Sequence, residues 1–221
     1  MLYIVSTPIG NLKDITLRAI ETLKSVDLIA AEDTRHTCIL LKAYDIATPL
    51  TSYYEHNEFS KSKYLLDLLK QGKNIAVVTD AGTPGISDPG YALIKLAQEN
   101  QIPMTVIPGA TALIAALSLS GAPAHQFIFE GFLPVKPGAR QKKLAELKSE
   151  QRTIIFYEAP HRMLKTLEDI KDILGDPVVI CTREITKKFE EVLKDKASVL
   201  ITHFSQKPPK GEFVVLINLQ N

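Results

Sequence analysis

Asn74-Ile75-Ala76-Val77-Val78-Thr79 runs directly into Asp80-Ala81-Gly82-Thr83-Pro84-Gly85-Ile86-Ser87-Asp88-Pro89-Gly90 and then into Tyr91 to Gln98. The first stretch is a continuous apolar run of β-formers, the pattern of a strand buried on both faces. The middle holds three glycines and two prolines in eleven residues, which fixes a non-regular backbone and leaves amides and carbonyls for other partners. The last repeats apolar residues at helical spacing, with Asp88 expected to cap a helix that opens at Pro89. One strand, one turn and one helix in that order make half of a βαβ unit.

The same grammar recurs on either side. Leu2 to Ser6, Asp27 to Ala31 and Met104 to Ile107 read as buried strands. Ile15 to Val26, Thr34 to Ala43, Asn57 to Lys70 and Ala112 to Leu119 read as helices, with Tyr64, Leu65, Leu68 and Leu69 expected on the apolar face of the third. Alternating short strands and helices imply right-handed crossovers and a mainly parallel sheet covered on both faces. Ser120 to Gln126, rich in small and turn-forming residues, reads as a hinge and sets the expected domains at 1–121 and 122–221.

The second domain continues with strands at Phe127 to Phe132, Thr153 to Tyr157 and Val178 to Thr182, and helices at Ala139 to Ser149 and Met163 to Leu174. Beyond Lys187 the pattern shortens. Lys187 to Lys194, Ser198 to Phe204 and Glu212 to Leu219 read as a mix of shorter strands or helices, consistent with antiparallel edges on a mixed sheet. The fold class is therefore α/β, with two layer domains.

Composition narrows the function. Of 221 residues 45% are hydrophobic, enough for sizeable cores, and 26 Lys plus Arg nearly balance 25 Asp plus Glu, so any nucleic-acid site must be local rather than driven by overall charge. Cys38 and Cys181 have no motif spacing and the N-terminus shows no export signal, so a reducing cytoplasm is expected. Asn100 to Phe129 carries no charged side chain, but Pro103, Pro108, Gly109, Gly121 and Pro123 break it into pieces too short to span a membrane.

Polar groups gather immediately after the strands, where open α/β sheets place their ligand crevice. Thr7 to Asn11, Glu32 to His36, Asp80 to Gly90 and Pro108 to Thr111 all stand there, as do Glu158 to Arg162 and Arg183-Glu184 in the second half. Neither G-x-G-x-x-G nor G-x-x-x-x-G-K-[ST] is present, so the pyrophosphate cradles those motifs build are not expected. Asp80 and Asp88 suit a ligand bearing hydroxyl or ammonium donors. Asp33 is either a plain helix cap or part of a functional cluster with Glu32, Arg35 and His36. The five histidines lack metal-ligand spacing, so no metal site is expected, and the absence of a G-x-S-x-G elbow disfavours hydrolase chemistry.

Six segments together resemble one known family: Leu2 to Leu12, Ala30 to Arg35, Thr79 to Gly90, Pro108 to Ala112, Tyr157 to Arg162 and Arg183 to Lys187. It is the small-subunit ribosomal RNA methyltransferase I family, among the tetrapyrrole-methylase-like S-adenosylmethionine enzymes, and the likeness covers nearly the whole chain in order. The resemblance implies a cofactor cleft between two α/β domains, a homodimer, and 2′-O-methylation of a cytidine ribose in the decoding region of small-subunit RNA, with the subunit or its RNA as partner. It further implies cofactor contacts from Pro8, Asp80, Gly82, Ile86, Asp88, Thr111, Ala112, Phe156 and Tyr157. Glu32, Asp33 and Glu158 become the candidate catalytic carboxylates, and Arg35, His36, Arg162, Arg183 and Lys187 the candidate RNA contacts. Members of the family commonly continue past the Gly211 to Val214 strand, so a helical or basic tail is expected to be missing or never to have been present. A small-molecule methylase and a non-catalytic RNA-binding module that keeps the fold are the competing readings.

Overall fold

A computed structural model describes residues 1–220 and divides the chain into two compact units, Met1–Thr111 and the remainder from Ala112. The first unit runs β1 (Leu2–Val5), a single 3-10 turn (Leu12–Asp14), α1 (Leu17–Ser25), β2 (Leu28–Ala31), α2 (Thr34–Ala43), β3 (Leu50–Ser52), α3 (Glu58–Lys70), β4 (Ile75–Val78), α4 (Tyr91–Glu99) and β5 (Met104–Ile107). Its five strands are all parallel, in the order β3-β2-β4-β1-β5.

Period-two alternation explains why β4 reads as continuously apolar. Ile75 and Val77 pack with Leu65 and Leu69 of α3 and Leu93 and Ala97 of α4, while Ala76 and Val78 pack on the opposite face with Leu23 of α1 and Leu41 of α2. The buried side of α3 is Ser62, Leu65, Leu66 and Leu69; Tyr64, expected inside, is exposed. Thr16 caps α1 by accepting the Ala19 N–H at 3.1 Å, worth about 1 kcal/mol, and Asp33 caps α2 by accepting the Arg35 N–H at 2.8 Å. Helix α4 departs from expectation. It begins at Tyr91 with Gly90 in the cap position, two residues beyond Asp88.

The second unit holds α5 (Ala112–Ser120), β6 (Phe127–Phe132), α6 (Pro137–Leu147), β7 (Thr153–Glu158), α7 (Met163–Leu174), β8 (Val178–Arg183), β9 (Glu191–Lys196), α8 (Ala197–Gln206) and β10 (Phe213–Ile217). Its sheet order is β6-β7-β10-β8-β9, with β6 and β7 parallel and the other pairs antiparallel. Two expectations change here. Helix α5 packs on β7, β8, β9 and β10, so it belongs to the second unit and the division falls near Thr111 rather than after Gly121. The C-terminal strand is not an edge: β10 lies at the centre of the sheet, buried along its whole length. Phe213-Val214-Val215-Leu216-Ile217 is apolar at every position because both its faces are covered. The charged strand β9 forms the edge instead. Among the described residues no helix is long and apolar enough to cross a membrane.

Candidate active site

In the first sheet, β1 and β4 are neighbours whose connections depart in opposite directions, β1 across β4 to β2 and β4 across β1 to β5. Such a switch point opens a crevice beyond the carboxyl ends of the two strands. The residues that follow β1 and β4 close on one another there: Thr7 and Gly82 exchange backbone hydrogen bonds of 2.8 and 3.1 Å. Gly82 sits at φ +91°, a conformation that favours glycine, and the Thr7 hydroxyl donates to the Thr79 carbonyl at 3.0 Å.

A chain of hydroxyls ties in the turn after β5. Thr83 Oγ1 lies 2.8 Å from Ser6 Oγ and 3.1 Å from Thr111 Oγ1, so one side chain links the segments that follow β1, β4 and β5. The turn itself presses against β1. A Cβ on Gly109 would stand 2.9 Å from the Ser6 Cβ, closer than side-chain carbons approach.

The turn after β2 is joined through carboxylates. Asp80 Oδ1 accepts the Asp33 N–H at 3.0 Å, and Glu32 Oε2 accepts the Asp80 N–H at 3.2 Å. Glu32 is half-buried, and that desolvation, with the nearby Asp80 and Asp33 charges adding to it, holds its carboxyl above the usual glutamate range against the lowering effect of the Asp80 amide. Asp33 behaves oppositely. Arg35 grips it with Nε at 3.1 Å and Nη2 at 2.7 Å, which drives its carboxyl far below the ordinary aspartate value. Pro8, Asp80, Gly82, Ile86, Asp88 and Thr111 therefore all lie on strand-end segments, and Glu32, Asp33, Arg35 and His36 on the adjoining turn. Ile86, Arg35 and His36 are exposed.

In the second unit the named residues have other duties. Glu158, at the end of β7, is 1% exposed and committed on both oxygens: Oε2 accepts the Thr166 hydroxyl at 2.6 Å, and Oε1 accepts the Ala159 N–H at 2.8 Å and faces Arg162 Nε at 3.0 Å. Arg162 also donates to the Leu133 carbonyl at 2.6 Å. The Phe156 side chain is part of the unit's own core, whereas Tyr157 faces Phe129 and Phe132 edge-on. Ala112 opens α5. Arg183 is paired with Glu191 at 2.7 Å, and Lys187 bridges Glu184 at 3.1 Å and Glu212 at 2.6 Å. Glu184 and Thr186 both hold positive φ, at 50° and 67°, so this turn is strained.

Ser6 and Thr83 carry no motif signal of their own; the cue to them is the recurrence of Ser or Thr just past β1, β4 and β5. No group of three His, Cys, Asp or Glu side chains among the described residues is placed to hold a metal ion.

A parallel sheet with its polar segments at the strand ends, followed by a mixed sheet with a central antiparallel strand, defines the class. Residues 1–200 match the model of the Tetrapyrrole (Corrin/Porphyrin) Methylases. The chain belongs to that family. It is 52% identical over 218 residues to the ribosomal RNA small subunit methyltransferase I of Synechocystis sp., covering 98% of this chain and 78% of the relative. The Thermotoga maritima protein of the same name is 49% identical over 217 residues, covering 98% of this chain and 97% of the relative, so a long C-terminal extension is not common to all relatives. Among solved structures, the uroporphyrin-III C-methyl transferase of Thermus thermophilus complexed with S-adenyl homocysteine superposes with a TM-score of 0.69 at 16% identity, covering 99% of this chain and 98% of that one. Diphthine synthase superposes at 0.73 with 14% identity, covering 98% and 89%. At that identity the likeness concerns the fold.

Proposed function

We propose that this chain transfers a methyl group from S-adenosylmethionine to small-subunit ribosomal RNA, at the 2′-oxygen of a cytidine ribose in the decoding region. The observation that carries the reading is the near-full-length likeness to relatives bearing that name; the nucleotide and the oxygen follow from the motif resemblance. A homodimer acting in the cytoplasm, with the small subunit or its RNA as partner, belongs to the same proposal.

The residues present fit the cofactor. Asp80 spends Oδ1 on the Asp33 amide, which leaves Oδ2 to accept from a hydroxyl or ammonium donor, and the buried Thr79 hydroxyl at the end of β4 has no hydrogen-bond partner among the described residues. Pro8, Gly82, Ile86, Asp88 and Thr111 contribute the remaining contacts of the first unit. Ala112 and Tyr157 are assigned the same role in the second, with Phe156 acting through its backbone. When bound, S-adenosylmethionine supplies a methyl group activated by a sulfonium.

In-line displacement places most of the burden on holding the acceptor oxygen in line, which rigid strand-end segments do well. Removal of the hydroxyl proton falls to a carboxylate. Of Glu32, Asp33 and Glu158, Glu32 suits it best, because partial burial raises its proton affinity towards the working pH while one oxygen stays uncommitted. Asp33 is held ionised by Arg35 and fits an orienting role, and Glu158 holds Arg162 and the end of β7. Arg35 and His36 are exposed and are assigned to phosphates, Arg35 with its guanidinium also engaged by Asp33; Arg162, Arg183 and Lys187 would reach RNA only by exchanging their present partners.

Incubation of the purified protein with radiolabelled S-adenosylmethionine and assembled small subunits, naked small-subunit RNA or a tetrapyrrole precursor tests the reading. Label recovered on a cytidine 2′-oxygen supports it. Label on the tetrapyrrole, or on a base, overturns it.

A further inference from the structure

Gly90 ends the segment that begins at Asp80 and occupies the cap position of α4, yet glycine has no side chain with which to cap. It cannot be replaced by a residue that does. Its φ is +143°, and a Cβ there would stand 2.9 Å from the Gly85 backbone nitrogen. The unpaired amides that open α4 must be met from elsewhere.

They are met from the first residue of α3 and from the segment that precedes it. Glu58 Oε1 accepts the Gly90 N–H at 3.0 Å and the Ala92 N–H at 3.1 Å, and the Tyr53 hydroxyl accepts the Leu93 N–H at 3.2 Å. Tyr53 also donates to Glu58 Oε1 at 3.0 Å and lies 3.0 Å from Ser62 Oγ, so its oxygen is saturated although the ring is fully buried. A carboxylate against the amino end of a helix is favoured by the helix dipole as well. The arrangement is a helix cap supplied by the start of a neighbouring helix and the segment before it, 32 positions away for Gly90.

We propose that Glu58 and Tyr53 are positioning residues for the Asp80 to Gly90 segment, setting its far end as Asp33 and Glu32 set its near end at Asp80, and thereby governing cofactor affinity without touching the cofactor. The inference rests on the cofactor reading above. Its consequence is that a residue on the first turn of α3, outside every motif that carries the family resemblance, controls binding at the switch point.

The test measures S-adenosylhomocysteine affinity by calorimetry, well below each variant's melting temperature, with amide hydrogen exchange at Gly90, Ala92 and Leu93. Glu58→Ala is expected to weaken binding about tenfold, the scale of losing hydrogen bonds to a charged group, and to speed exchange at the three amides. Glu58→Gln keeps an accepting oxygen and restores most of the affinity. Tyr53→Phe speeds exchange at Leu93 and weakens binding less. Leu69→Ala, which opens a cavity elsewhere on α3, lowers stability but leaves affinity unchanged. Wild-type affinity in a folded Glu58→Ala protein overturns the proposal while the cofactor reading stands, and equal weakening by Leu69→Ala overturns it as a mere stability effect. Absence of binding by the wild type overturns the parent reading and this one with it.

Discussion

Asp80 Oδ1 accepts the backbone N–H of Asp33 at 3.0 Å, across 47 positions of sequence. The bond fixes the turn after β2 to the segment after β4 through one oxygen of the carboxylate and leaves the second oxygen for another donor. On the proposed cofactor reading, this aspartate is a joint as well as a ligand contact.

Substitution separates the two purposes. Asp80→Asn retains an oxygen that accepts from Asp33 but removes the charge, so it should fold normally and bind S-adenosylhomocysteine about ten- to a hundredfold more weakly, the range for a hydrogen bond to a charged group. Asp80→Ala should lose stability in addition. Calorimetric titration paired with thermal melting reads both quantities, and unchanged affinity in Asp80→Asn would remove Asp80 from the cofactor set.

Glu32 makes a prediction in pH. Burial raises its folded pKa above the ordinary 4.5, so the folded state holds the proton more tightly than the unfolded chain. Stability attributable to Glu32 is therefore greatest below about pH 4.5 and declines as pH rises through the folded value. Glu32→Gln should melt higher than wild type at pH 7, with the gap closing in acid. Its turnover should fall by about 10²- to 10⁴-fold, and the acidic limb of the rate profile should flatten. A variant that keeps the wild-type limb would assign the base elsewhere.

Thr83 offers a test of the hydroxyl chain. Thr83→Val preserves shape but leaves Ser6 Oγ and Thr111 Oγ1 without their shared partner, at a cost of about 1 to 3 kcal/mol in urea denaturation. Thr83→Ser should recover most of that loss. Equal stability of all three proteins would show that the three segments are held without this hydroxyl.

What the sequence makes legible here depends on range. Strands such as Ile75 to Val78 and the turn that follows announce themselves through local runs, and so do Asp80, Asp88 and the Glu32-Asp33 pair after their strands. Leu50 to Ser52 escapes notice because three residues after Pro49 carry no pattern. The central place of Phe213 to Ile217 was set by pairing with strands 30 or more residues away, although its unbroken apolar run already argued against an edge. Glu58 was invisible for a related reason: its partners are backbone amides, and amides leave no mark in a sequence. Arg162, Arg183 and Lys187 stand in the sequence as candidate RNA contacts with no sign of their carboxylate partners, which are chosen by the fold.

Glu158 decides whether the second unit supplies a catalytic group or a structural one. Its oxygens are occupied by Thr166, the Ala159 amide and Arg162, and it is almost fully buried. Removing one member of such a pair strands the other charge, so Glu158→Ala should cost about 3 to 5 kcal/mol of stability. Glu158→Gln keeps an accepting oxygen for the Ala159 N–H and offers an NH2 that can donate to the Thr166 hydroxyl, while weakening the hold on Arg162, and it should destabilise less. If the role is structural, the folded Glu158→Gln enzyme turns over within about tenfold of wild type, because the proton-transfer group is intact, whereas loss of a base costs about 10²-fold or more. Single-turnover rates measured below the melting point distinguish the two. A folded Glu158→Gln protein with a hundredfold slower step would return Glu158 to the catalytic set and displace Glu32 as the favoured base.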